Sequence, residues 1–194
     1  MKLMNYKNIE RLLINVDMVN GFVKTGPMHD KKIAKIIPAQ IDLIKKCNGE
    51  NDYLIFVKEG HSENATEFKK FPKHCVNGTE EAEIVDELKG YAKNVYEKNS
   101  TSAIFAKNFL QTIANMINLK EVIIMGCCTD ICVLNLAIPL SNYFDELNRE
   151  VKITIPKNVV QTYDAPIHNA DKYNEMAFTL FGQAGINVVD EYEK

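Results

Sequence analysis

The sequence predicts an α/β protein of three layers, with a central, mostly parallel sheet of about six strands between two layers of helices. Six short apolar runs rich in branched residues are separated, in most cases, by longer stretches of 3.6-residue periodicity, which is the pattern of buried parallel strands joined by helices. No repeat, low-complexity tract or Gly/Ser linker divides the 194 residues, so residues 1–194 are expected to form a single domain. At 46% hydrophobic and 25% charged, the chain can bury a sizeable core.

The first expected strand is Arg11–Asp17, through Leu12-Leu13-Ile14-Asn15-Val16. Ile33, Ile36, Ile37, Ile41 and Ile44 then recur at helical spacing. Strands follow at Tyr53–Lys58 and Asn94–Glu97, and Phe105, Leu110, Ile113 and Ile117 mark another helix. Glu121–Gly126 and Val151–Ile155 read as strands, Ala170, Tyr173, Ala177, Leu180 and Phe181 as a helix face, and Ile186–Val189 as the last strand. Pro38 and Pro139 fall inside helical stretches, where each removes a backbone donor, so those helices should bend or begin there. Ligands of such sheets gather beyond the carboxyl ends of the strands. Asp17, Lys58 to His61, Lys98 and the turn from Cys127 to Cys132 are therefore expected at one edge.

A net charge of −3 argues against a broad electrostatic footprint for nucleic acid or an anionic membrane, which leaves a small molecule as the expected partner. No N-terminal stretch has the basic and apolar parts of a signal peptide, and the apolar runs are too short to cross a bilayer, so a cytoplasmic location is expected. The five cysteines, Cys47, Cys75, Cys127, Cys128 and Cys132, are an odd number and a poor disulfide framework; reduced thiols are expected. Cys127, Cys128 and Cys132 also lack the paired knuckles of a structural zinc site.

Gly126-Cys127-Cys128-Thr129-Asp130-Ile131-Cys132-Val133 lies where an apolar strand gives way to a helix. Such a turn can hold a thiol over first-turn amides that have no partner inside the helix. Cys132 becomes a nucleophile if a base or a cation favours its ionisation, and Asp17 and Lys98, each ending a strand, are the candidates. Each has a plainer alternative taken alone: a small core cysteine, a turn-forming aspartate, a solvated lysine. Glu59, His61, Glu67 and His74 fall within one short stretch and offer the ligand types of a catalytic metal site; a polar surface loop is the alternative.

From Leu12 to Asp190 the chain resembles the isochorismatase-like cysteine hydrolases, and within them the nicotinamidases. Gly126-Cys-Cys-Thr-Asp-Ile-Cys132-Val133 is similar to the family's Gly-x-x-Thr-Asp-x-Cys-Val signature. The resemblance makes Cys132 the nucleophile and implies a cis peptide between Cys127 and Cys128, with the Cys128 and Cys132 amides forming an oxyanion hole. Val16-Asp17-Met-Val-Asn-Gly-Phe22 is similar to the motif that supplies the acid/base Asp17 and the ring-lining Phe22, and Lys98 followed by Ser102-Ala103 completes an Asp-Lys-Cys triad. Phe71-Pro72-Lys73-His74-Cys75-Val76-Asn77-Gly78-Thr79 resembles the metal loop of nicotinamidases, in which Phe71 packs on the substrate ring. The implied metal ligands are Glu59, His61 and His74, with Glu67 as a further candidate. The implied cofactor is a divalent metal, zinc first, with iron or manganese as alternatives.

Two motifs depart from the family pattern. Glu59-x-His61 replaces the usual Asp-x-His, so the longer stem shifts the ligand geometry. Thr101-Ser102-Ala103-Ile104 replaces Tyr-Ser-Ala-Phe, removing two aromatics expected near the pocket. The resemblance implies hydrolysis of a small carboxamide, nicotinamide foremost, to the acid and ammonia. The rival readings are a metal-free hydrolase of another amide or ureido compound and a non-catalytic binding protein on the same fold. The family also implies a homo-oligomer; Tyr143, Phe144 and Tyr163 are candidates for its contacts or for the core.

Overall fold

The computed structural model describes residues 6–194. Seven strands form one parallel sheet: β1 (Arg11–Val16), β2 (Asp52–Glu59), β3 (Val95–Lys98), β4 (Glu121–Cys127), β5 (Lys152–Pro156), β6 (Val160–Gln161) and β7 (Asn187–Val189). Their order is β3-β2-β1-β4-β5-β7, with β6 continuing the β5 side of β4 beyond the end of β5. The chain runs outward from β1 to β3, returns to β4 beside β1, and then builds the other half. That reversal opens a crevice at the carboxyl ends of β1 and β4, where ligands of such sheets bind.

Side chains alternate across β1, β2 and β4, so each strand feeds two cores. Leu12, Ile14, Val16, Ile55, Val57, Val122 and Ile124 face one core, closed by α5 (Phe109–Ala114), α6 (Leu134–Glu146) and α7 (Ala170–Gln183) through Phe109, Ile113, Leu140, Phe144 and Phe181. Leu13, Phe56, Ile123 and Met125 face the other. That side is covered by α1 (Asn20–Val23), α2 (Lys31–Ala34), α3 (Ile37–Lys46) and α4 (Asp86–Lys89), through Phe22, Ile33, Leu43, Ile44 and Leu88. Burial on both faces explains why these strands read as continuous apolar runs.

The prolines act differently. Pro38 stands in the first turn of α3, where its missing N–H costs nothing, and the stretch divides into α2 and α3 just before it. Pro139 sits inside α6, which runs on through it. The carbonyl it leaves without an intrahelical donor is that of Asn135, and Ser102 Oγ donates to that oxygen at 2.7 Å. The helix expected across Phe105 to Ile117 is shorter than predicted. Ala103–Phe105 form a separate 3-10 turn, Asn108 is left-handed at φ +63°, and α5 holds only Phe109–Ala114. Phe105 and Ile117 are consequently 81% and 60% exposed. Leu180 also faces outward on α7, while β6 was too short to leave a periodic signal.

Phe144 lies in the core and Tyr143 packs against it, so neither is a free contact surface. All five cysteines are free and buried. Among the described residues, no helix is long and apolar enough to cross a membrane.

Gly126, paired with Val16 across β1 and β4, is where the sheet approaches itself most closely near the site. Its φ is +125°, and a Cβ there would lie 2.0 Å from the Val16 carbonyl oxygen. Gly126→Ala is expected to lower unfolding stability by about 3 kcal/mol or more in urea titrations, because both the backbone conformation and the neighbouring strand must yield.

Candidate active site

Asp17 is the first residue past β1. It is left-handed at φ +54°, and its amide donates to Val57 O at 2.8 Å. Its carbonyl accepts the Cys127 thiol at 3.2 Å, tying the end of β1 to the end of β4. The parallel register sets Glu59 of β2 opposite Lys98 of β3. Lys98 Nζ lies 2.8 Å from Asp17 Oδ2, 2.8 Å from Glu59 Oε1 and 3.7 Å from Cys132 Sγ. All four residues are buried.

Cys132 stands in a wide π-type turn, Thr129–Val133, between β4 and α6. Val133 N reaches back five residues to Cys128 O at 3.1 Å, and the Cys127–Cys128 peptide is cis, as the resemblance implied. Burial pushes the Cys132 thiol well above its ordinary value; Lys98 opposes this, while Asp17 and Glu59 add to it. Burial also pushes Asp17 up, to about 6, against the pull of Lys98. For Glu59 the upward push of burial is outweighed by Lys98, His61 and His74, which hold it well below the usual carboxylate range. Burial tends to strip Lys98 of its proton, but Asp17, Cys132 and Glu59 overcome this and keep it charged. A charged lysine with two carboxylates has a net charge of −1 when both are ionised, in a place without water to screen it.

The second cluster adjoins the first through Glu59. His61 Nε2 is 3.5 Å from Glu59 Oε1 and 4.0 Å from Glu67 Oε1, and His74 Nε2 is 3.4 Å from Glu59 Oε2. One ligand atom from each of Glu59, His61, Glu67 and His74 falls within 4.8 Å of the others. The far nitrogens of the histidines are pinned. His74 Nδ1 lies 2.7 Å from Pro72 O, which can only accept, so Nδ1 donates. His61 Nδ1 lies 3.0 Å from Asn99 Oδ1, an oxygen that also accepts from Ser62 N. In its neutral form each ring aims an Nε2 lone pair at carboxylate oxygens, and His61 Nε2 is a buried atom without a hydrogen-bond partner among the described residues. Acceptors facing acceptors call for a cation between them, so these residues fit a divalent metal, with Pro72 and Asn99 as orienting partners. The same field acts on a proton: burial lowers the His61 pKa, but Glu59 and Asn99 raise it further, for a net rise.

Phe22, Phe71, Met28, Ile131 and Tyr163 join Glu59, Glu67, His74, Thr101, Cys128 and Cys132 around one cavity. Phe22 and Phe71 lie 5.6 and 6.3 Å from the His74 ring, and Phe68 packs edge-on to both histidines. The expected edge thus gathers Asp17, Glu59, His61, Lys98 and Cys132, but not the Lys58 ammonium. Alternation along β2 turns Lys58 away, to Ala82 O at 3.2 Å and Glu97 at 3.4 Å. Thr101 lines the cavity, whereas Ile104 packs on the core, so one of the two lost aromatics is at the pocket. Asn99, Phe68, Met28, Ile131 and Tyr163 were not anticipated as site residues. Asn99, next to Lys98, carried no signal of its own, since its role depends on a loop some forty residues earlier, at His61.

Comparison with known proteins identifies the family and the fold. The sequence pattern described as the isochorismatase domain matches residues 11–190. Nicotinamidase 1 of Arabidopsis thaliana is 25% identical over 183 residues, covering 81% of this chain and 72% of its own. The pyrazinamidase/nicotinamidase of Streptococcus mutans shares the fold with a TM-score of 0.78 at 23% identity, covering 93% of this chain and 100% of its own. The pyrazinamidase of Pyrococcus horikoshii, solved in complex with zinc, has a TM-score of 0.74 at 26% identity, covering 93% and 98%.

Asn99→Ala leaves Glu59, His61, Glu67 and His74 in place but frees the His61 ring to turn. It is expected to weaken zinc binding about tenfold or more in competition with a chromophoric chelator. His74→Ala, which removes a ligand candidate, should weaken it further still.

Proposed function

Because the chain belongs to the isochorismatase family, we propose that it is a cysteine amidohydrolase that converts a small carboxamide, nicotinamide foremost, to the acid and ammonia. What carries this reading is the position of Lys98, 3.7 Å from the Cys132 sulfur and 2.8 Å from Asp17, beside two histidines whose Nε2 atoms share the Glu59 carboxylate. A binding protein has no need of a buried thiol, base and cation in contact.

Asp17 Oδ1 is buried without a hydrogen-bond partner and takes the Cys132 proton as the sulfur attacks the amide carbon. Lys98 remains positive beside the sulfur and favours the charge that develops there. The C–S bond forms, and the carbonyl oxygen becomes an oxyanion held by the Cys128 and Cys132 amides. Asp17 returns the proton to the nitrogen, the C–N bond breaks, and ammonia leaves a thioester. Asp17 next takes a proton from water, whose oxygen adds to the thioester carbon; the acid departs and the proton returns to Cys132. Phe22 and Phe71 hold the flat face of the substrate. A divalent metal on Glu59, His61, His74 and Glu67, zinc first and iron or manganese otherwise, would supply an electrophilic contact that orients a heteroaromatic ring.

Ammonia release from nicotinamide is expected from the wild type and lost by at least about a thousandfold in Cys132→Ala. Wild type stripped of metal should lose substrate binding and regain it with zinc. A folded wild type that releases no ammonia with any of zinc, iron or manganese would sink the nicotinamide assignment and point to another amide. The base form of Asp17 is required, so kcat/KM should fall as pH drops through about 6, by about tenfold per unit below it. A profile flat from pH 7 to pH 5 would exclude Asp17 as that base.

A further inference from the structure

His168 precedes α7 and is absent from the triad, the ligand cluster and the cavity wall. It is nonetheless 93% buried, with both nitrogens engaged. Nδ1 lies 2.9 Å from the Tyr163 carbonyl and Nε2 lies 2.8 Å from Asp130 Oδ2. Its ring is sandwiched: Tyr163 stacks on one face at 4.0 Å with planes 5° apart, and Tyr173 of α7 stacks on the other at 3.7 Å and 24°. Reciprocal backbone hydrogen bonds between Ala165 and His168 close the intervening loop.

The proton count is informative. A carbonyl oxygen only accepts, so Nδ1 carries a hydrogen, and the Nε2 contact with a carboxylate needs a second one. That is one more than a neutral ring and an ionised Asp130 supply together. An imidazolium beside an ionised Asp130 satisfies that count, and charge pairing and the quadrupoles of the two flanking rings favour it. Asp130 Oδ1 is buried and has no other hydrogen-bond partner among the described residues. The two ends of this clamp matter. Asp130 belongs to the turn that carries Cys132, and Tyr163 lines the cavity beside Ile131 and Cys128.

We propose that Tyr163 is a substrate-contacting wall of the site and that His168 is a positioning residue. By donating through both nitrogens and stacking between Tyr163 and Tyr173, it fixes this wall and the nucleophile-bearing turn relative to each other. Tyr163 then supplies an aromatic face on a cavity where Thr101 offers none. This rests on the amidohydrolase reading for the identity of the substrate, though not for the clamp itself.

The test compares wild type, Tyr163→Phe, Tyr163→Ala and His168→Ala with nicotinamide, alongside melting temperatures. Tyr163→Phe keeps the ring, so its KM should lie well below that of Tyr163→Ala. Tyr163→Ala should raise KM about tenfold, the scale of one aromatic contact, with kcat within about twofold. His168→Ala should raise KM similarly and lower kcat about tenfold, since Asp130 loses its anchor. Nitrogen-15 spectra of the wild-type imidazoles should show one histidine protonated at both nitrogens and lost in His168→Ala. Unchanged KM in Tyr163→Ala, or a His168→Ala protein that only melts earlier, would overturn the proposal, as would a neutral His168 ring. If the wild type hydrolyses no carboxamide, the amidohydrolase reading fails by itself. The clamp is then decided by the spectra and by iodoacetamide labelling of Cys132, expected to slow about threefold or more in His168→Ala and to stay unchanged if His168 is only structural.

Discussion

The Lys98 ammonium is a buried charge, and the surroundings of the site are arranged to keep it charged. Removing such an ion from water is costly unless carboxylates replace the lost hydration. Asp17 and Glu59 do so, and neither comes from the lysine's own strand. The lysine therefore requires β1, β2 and β3 to be in register before it can be buried as a cation, and the thiol of Cys132 meets it only when β4 lies beside β1. The contacts among Asp17, Lys98 and Cys132 thus depend on the order of strands in the sheet.

The two carboxylates have opposite fates because their neighbours differ. Glu59 has Lys98 and two histidines and stays ionised well below its ordinary range. Asp17 has Lys98 but also feels the Glu59 charge, and burial pushes it toward the range in which a base works near neutral pH. Glu59 is thus shared between the lysine and the histidines. Its extra methylene relative to aspartate lies at the junction of the two clusters, so the departure from the family pattern falls where the Lys98–Cys132 group and the histidine group meet.

Positioning comes from residues outside the reacting set. Ser102 satisfies the carbonyl that Pro139 leaves open, and so fastens the segment after Lys98 to the helix after Cys132. Asn99 and the Pro72 carbonyl fix which nitrogen each ligand histidine presents. His168 contacts Asp130 of the Cys132 turn and stacks on Tyr163. The Ser102–Asn135, Asn99–His61 and His168–Asp130 contacts cross between segments far apart in the chain, whereas Pro72 acts on His74 from two residues away.

The strands were legible because their burial on both faces is written into continuous apolar runs. The Cys132 turn was legible because Gly126 and the strand-to-helix change after it are local features. Asp17 and Lys98 could be singled out as residues that end strands, and the ligand types of Glu59, His61 and His74 could be read from one short stretch. The limits of the short helix after Ser102 were not legible, since Phe105 and Ile117 have helical spacing but a left-handed Asn108 interrupts the path. Nor were Asn99, Tyr163 and His168, whose partners lie in other segments and leave no periodic or spaced pattern. The sequence by itself determined the layers, the order of strands along the chain and the kinds of chemical group at their ends. Tertiary structure alone decided which carboxylate shares the lysine, which nitrogens face inward and which rings form the wall, because these depend on distances of a few ångströms between segments that only the folded sheet brings together.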